Sequence, residues 1–237
     1  MRLTALGILL APAAAAAVWA TLLTLGPVLG QLSVTFPLLA GALVFSLPYT
    51  AALLSGRGNR ASNRLYIIAH ELTHALAAFL SGVKVRKIAV RGRSGYVLTD
   101  STNTFISLAP YFIPLYTLAA ALAYWSAGRF CDISPLRPWF LAAAGFTLTF
   151  HILHTADILS GPVQSDLKKA GGALFSIPVV LLLNCAGLAI ALKLMFPELL
   201  SLKAWLAQAL CSLKVFYSAI FSAAAYIYNT AKIYINS

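Results

Sequence analysis

Five consecutive residues, His70-Glu71-Leu72-Thr73-His74, combine the side chains that hold a divalent metal with one that can move a proton. On a helix, positions four apart lie on one face about 6 Å apart, so His70 and His74 can each offer a ring nitrogen to one zinc ion (Zn2+). Glu71, next to the first ligand, reaches a zinc-held water from the side. As general base it takes that water's proton and passes it to a leaving amine, while zinc lowers the water's pKa and polarises a scissile carbonyl. A short pattern with two free positions also arises by chance in proteins that bind no metal. Position separates the two readings. The stretch from Arg64 to Leu80 is apolar except for His70, Glu71, Thr73 and His74. An ionisable group inside an apolar helix costs about 2.5–3.5 kcal/mol on insertion scales and needs a polar partner. Three such groups within five residues favour a metal site.

Two further places carry polar groups of the same kinds. The only other histidines, His151 and His154, stand in one apolar run with Asp157, at spacings of three that share one side of a helix. Hydrogen bonding between helices would also account for them. Asp166 follows in Gly161-Pro162-Val163-Gln164-Ser165-Asp166-Leu167, an extended stretch running into a new helix. There, Ser165 or Asp166 could equally be the N-cap of a helix beginning near Leu167. Cys131, Cys185 and Cys211 have no metal-ligand spacing and read as packing residues.

The elements that must position these groups are set by composition. Of 237 residues 60% are hydrophobic and 10% charged, and the mean hydropathy is +0.85. An ordinary globular domain is about half apolar and a quarter charged, so a soluble single domain is excluded. The fold class expected is an all-α polytopic membrane protein with about five or six transmembrane helices, each crossing taking roughly 20 apolar residues. The long apolar runs are Leu3–Leu25, Val34–Leu54, Phe105–Trp125, Trp139–Leu159 and Ala170–Phe196. The tail from Leu202 to Ser237 reads as an interfacial or loosely spanning helix. Between Gly82 and Leu98, apolar and basic residues alternate around Gly92 and Gly95, predicting a small membrane-associated β-hairpin straight after the zinc-motif helix. Seventeen Lys and Arg against six Asp and Glu would suit nucleic acid only if clustered on a solvated face. Here they lie between apolar runs, facing lipid headgroups, so the partners expected are the lipid bilayer and a membrane protein or peptide substrate, with no nucleic acid. Arg2 and the Ala/Leu run after it could be a signal peptide, but no polar stretch follows, and an uncleaved helix is the favoured reading.

The His70–His74 motif inside a membrane run, the strand-like Val83–Leu98 segment after it, the apolar helices beyond and an aspartate following a proline together resemble the site-2 protease family of intramembrane zinc metalloproteases. The resemblance spans roughly Arg64 to Phe196. It implies that His70, His74 and a distal aspartate, Asp166, ligate zinc, and that Glu71 is the base in hydrolysis of a peptide bond within or beside the membrane. The chain departs from the family's distal pattern: Pro162 and Asp166 stand four apart and the glycines come only at Gly171 and Gly172. His151, with Asp157 behind it, is therefore the alternative third ligand. A fully spanning zinc helix would set His151 at the depth of His74, against the positive-inside rule for the basic loops. A re-entrant or tilted one would bring Asp166 to the zinc and leave His151 and His154 as partners of the ligands or part of the substrate path.

On this reading residues 1–63 are N-terminal transmembrane helices, 64–196 the metalloprotease core and 197–237 a C-terminal interfacial or transmembrane helix. The site expected is an integral, multi-pass one in a bacterial inner membrane. Two other classes compete with this reading. A proteolytically silent metal-binding scaffold or accessory protein is disfavoured by the presence of Glu71. A membrane oxidase with a histidine-rich di-iron centre needs more ligands than four histidines provide.

Overall fold

The computed structural model describes residues 2–56, 60–92 and 94–235. Arg57 and Arg93, basic residues before and after the motif helix, lie outside the described residues. The apolar runs form long helices: α1 (Arg2–Gly30), α2 (Leu32–Leu54), α6 (Arg137–Ser160), α8 (Ala173–Met195) and α9 (Leu202–Ile235). Each contains a stretch long and apolar enough to cross a membrane, as the composition requires. Prolines 12, 27, 37, 48 and 178 sit inside these helices. The chain is an all-α polytopic membrane protein with one small β-hairpin.

The run from Phe105 to Trp125 is not one straight helix. It divides into α4 (Thr104–Leu108), a 3-10 turn at Ala109–Tyr111 and α5 (Leu115–Ala127), bent by 79°. Pro110 and Pro114 explain the break, since neither supplies a backbone N–H and each disfavours helix at the residue before it. The motif helix α3 (Arg60–Leu80) is not among the helices apolar enough to cross a membrane. Its polar groups are concentrated where they can meet a partner.

The hairpin pairs β1 (Val85–Arg91) with β2 (Ser94–Thr99) in antiparallel register, Ile88 opposite Val97 and Val90 opposite Gly95, with an irregularity between Val85 and Lys87. It packs on α3. Helices α2 and α6 touch through two glycines: a Cβ on Gly41 would lie 1.9 Å from the Ala142 carbonyl oxygen, and one on Gly145 1.9 Å from that of Leu38. This backbone-to-backbone approach needs glycine on both sides. It seats an aromatic cluster of Phe45, Tyr49, Tyr66 and Phe150 that joins α2, α3 and α6. A second cluster, Leu108, Tyr111, Leu167, Ala170 and Val180, fixes the short helix α7 (Ser165–Lys169) to the α4 turn and α8. α1 packs on α8 and α9.

Candidate metal centre

The zinc-type motif forms the middle of α3, and the helix does what the spacing demanded. His70 Nε2 and His74 Nε2 lie 3.2 Å apart. Asp166 Oδ2, from α7, lies 3.4 Å from each. Helix α7 begins at Ser165 behind Gln164, which takes the N-cap position without a side-chain cap bond. Ser165 and Asp166 are thus inside the helix rather than capping one that starts at Leu167. Leu167, fully buried, anchors it, and Ser176 Oγ donates to the Leu167 carbonyl at 3.1 Å. With that residue pinned, Asp166 is turned toward α3.

The local sequence also sets how the rings are held. Asn103 caps α4, its Oδ1 accepting from the Ile106 N–H at 2.8 Å. Four residues beyond Ile106 the helical donor would be Pro110, which has no N–H, so the Ile106 carbonyl is left for another partner. His74 Nδ1 donates to it at 2.7 Å. Because a carbonyl only accepts, the His74 Nε2 lone pair faces the centre. On the other ring, Tyr66 Oη lies 3.2 Å from His70 Nδ1. Tyr111 Oη donates to Asp166 Oδ2 at 3.5 Å. Burial raises the Asp166 carboxyl's pKa, but the adjacent His70 and His74 rings more than reverse this and hold it below the ordinary carboxylate range.

The donor set fits a metal. Two imidazole nitrogens and one carboxylate oxygen are the ligand types of catalytic zinc sites. Bonds of about 2.0–2.2 Å in a tetrahedron put neighbouring ligand atoms about 3.3–3.5 Å apart, against 3.2, 3.4 and 3.4 Å here. Among the described residues these three form the group of His, Cys, Asp and Glu side chains able to hold an ion.

Glu71 is 7% exposed and faces β2. A Cβ on Gly95 would come within 2.5 Å of Glu71 Cγ and 2.7 Å of its Oε1, so the strand rests directly on this carboxylate. Two cavities meet there. One, about 370 Å³, is lined by Asn63, Tyr66, His70, Asp157 and others. The other, about 410 Å³, is lined by His74, Thr99, Ser107, Lys169 and the run Gly95–Leu98 of β2. Both share Glu71, Gly95, Ser165 and Asp166. Together they follow α3 from Asn63 to His74, about 16 Å at 1.5 Å per residue.

The structure therefore brings His70, His74, Glu71 and Asp166 to one place, and it does not bring His151 there. His151 Nε2 instead meets Asn184 Oδ1 at 3.2 Å. Asp157 lines the cavity on the Asn63 side. Sequence reasoning missed Tyr66, Tyr111, Asn184 and Gly95. Tyr66 stands four residues before His70, a spacing that already places it on the ligand face, and Asn184 is an amide in an otherwise apolar run. Gly95 left no signal beyond its glycine.

Two histidines, a carboxylate and a glutamate thus stand together on a helical membrane protein. Over residues 38–152, a little under half of its length, the chain matches the family model described as Peptidase M50B-like, a site-2 protease family. The match includes the whole of α3 and ends before Asp166. No curated protein and no solved structure matches the chain.

Proposed function

We propose that this protein is an intramembrane zinc metalloprotease in which His70, His74 and Asp166 hold the ion and Glu71 is the general base. The observation that carries the proposal is the triangle of donor atoms, with edges suited to tetrahedral zinc, lying on the wall of a cleft that also contains Glu71. A bound zinc ion would supply Lewis acidity and a lowered pKa for water at the site.

The chain's own residues supply the rest. Glu71, held between α3 and β2, accepts a proton from the attacking water and returns it to the leaving amine, a transfer worth about 10²–10⁴ in rate. The Ile106 carbonyl and Tyr66 hydroxyl hold the imidazole rings with Nε2 inward. β2 is an edge of a two-stranded sheet, and its residues Gly95 to Thr99 line the cleft. At about 3.3 Å per residue, the 16 Å cleft accepts roughly five residues of extended chain. A membrane protein unwound near its helix end, or a peptide left in the membrane, is the substrate class that suits such a groove.

The test is metal analysis of the purified protein together with cleavage of a membrane-peptide panel by wild type and Glu71→Gln. Stoichiometric zinc in both proteins, with cleavage by wild type alone, is expected. Zinc-free protein, or equal turnover in the Glu71→Gln variant, would overturn the assignment.

A further inference from the structure

The histidines of α6 are unexplained by the chemistry above, yet both are buried, His151 7% and His154 3% exposed. Each leads by a short chain of contacts to a different ligand of the metal centre. The His154 ring stacks on Tyr66, with centroids 4.9 Å apart and planes 20° from parallel. Phe150 and Tyr49 enclose the same imidazole at 4.7 and 5.0 Å. Tyr66 is itself 6% exposed, and its hydroxyl is the group beside His70 Nδ1. The stack fixes the plane of the phenol, and the phenol fixes the ligand ring.

The second chain starts at His151. Asn184 Nδ2 donates to the carbonyls of Tyr111 at 2.7 Å and Val180 at 2.9 Å. That pair of bonds sets the amide orientation, so its Oδ1 is an acceptor and His151 Nε2 is the donor to it. Asn184 thereby ties α8 to the Tyr111 backbone, with His151 locking the amide from α6. Tyr111, 1% exposed, reaches Asp166 Oδ2 through its hydroxyl and sets its ring edge-on to His70 at 5.2 Å.

We infer that His151 and His154 are positioning residues, bracing the metal centre through two tyrosines: His154 orients His70 by way of Tyr66, and His151 orients Asp166 by way of Asn184 and Tyr111. The inference rests on the reading of His70, His74 and Asp166 as zinc ligands. It gives α6 a role in metal retention although, among the described residues, none of its side chains belongs to the group of donors. Groups that hydrogen-bond to ligands and fix their orientation commonly alter metal affinity by 10- to 100-fold when removed, and this sets the scale expected.

The experiment measures zinc affinity by competition with a chelator and the visible ligand-field spectrum of the cobalt-substituted protein, both on the full chain in detergent. Tyr66→Phe removes one hydroxyl and keeps the stacked ring. It should weaken zinc about 10-fold or more and shift the cobalt spectrum, with the thermal midpoint of the metal-free protein unchanged. His154→Ala should weaken zinc similarly, and His154→Phe, which restores an aromatic ring against Tyr66, should recover most of that loss. On the other chain, His151→Gln keeps a donor for Asn184 and should retain affinity that His151→Leu loses. If wild type holds zinc while Tyr66→Phe, His154→Ala and His151→Leu all match it in affinity and spectrum, the brace is overturned and the metal centre stands. If wild type takes up neither zinc nor cobalt, the centre and its brace fall together. An affinity loss in His154→Ala that His154→Phe does not recover, with no spectral shift in Tyr66→Phe, would make the α6 histidines packing groups only and also overturn the inference.

Discussion

The protein contains two pairs of histidines, one on α3 and one on α6, and the structure uses them in opposite ways. His70 and His74 on α3 turn Nε2 toward one point, 3.2 Å apart. Their outer nitrogens meet a hydroxyl and a carbonyl. His151 and His154 on α6 belong to no such donor group among the described residues. One donates to Asn184 and the other lies among the rings of Tyr49, Tyr66 and Phe150. Spacing distinguishes the pairs only weakly, since residues three or four apart share a helix face. What separates them is the third element each meets. α3 faces a short polar helix carrying a carboxylate, whereas α6 faces an aromatic cluster and the amide of α8. A histidine becomes a ligand when its lone pair is left for the metal by a partner on the other nitrogen and a third donor arrives at bonding distance.

The comparison breaks most sharply at the base and the ligands. Glu71→Gln is expected to retain zinc and lose about 10²–10⁴ in turnover, measured by single-turnover cleavage in detergent. The ligand variants His70→Ala, His74→Ala and Asp166→Ala should each lose stoichiometric zinc on desalting, whereas His151→Ala keeps it with weakened affinity. An Asp166→Ala protein with wild-type zinc would remove Asp166 from the ligand set. Gly95→Ala probes the packing of β2 on the carboxylate. Its methyl group must displace Glu71, and a misplacement of about 1 Å at a reacting group costs on the order of 10²-fold. The expected outcome is reduced kcat with zinc content unchanged. A smaller effect is expected away from the site. Gly145→Ala forces α6 off α2 and should cost about 1–3 kcal/mol, read as a lower thermal midpoint, with a secondary loss of zinc affinity because α6 carries His151 and His154.

Local sequence carried the membrane class, the positions of the long helices, the hairpin and the shared face of His70 and His74 on α3. Each of these follows from local composition or periodicity, which a window of 10–20 residues contains. It also pointed to Asp166 by resemblance, while leaving His151 open. The break at Pro110 and Pro114 was readable in principle, but the 79° bend that makes Phe105–Trp125 two helices depends on what packs around it. The meeting of Asp166 with His70 and His74 belonged to tertiary structure alone. Asp166 lies 92 residues from His74, and no local rule carries a carboxylate across that separation. It arrives because Leu167, Ala170 and Tyr111 bury together, and because Gly41 and Gly145 let α6 close on α2. The same is true of the tyrosines. Tyr66 has the right spacing to face His70, but only the stack on His154 holds its phenol there, and that contact joins residues 88 apart that burial, rather than sequence, made neighbours.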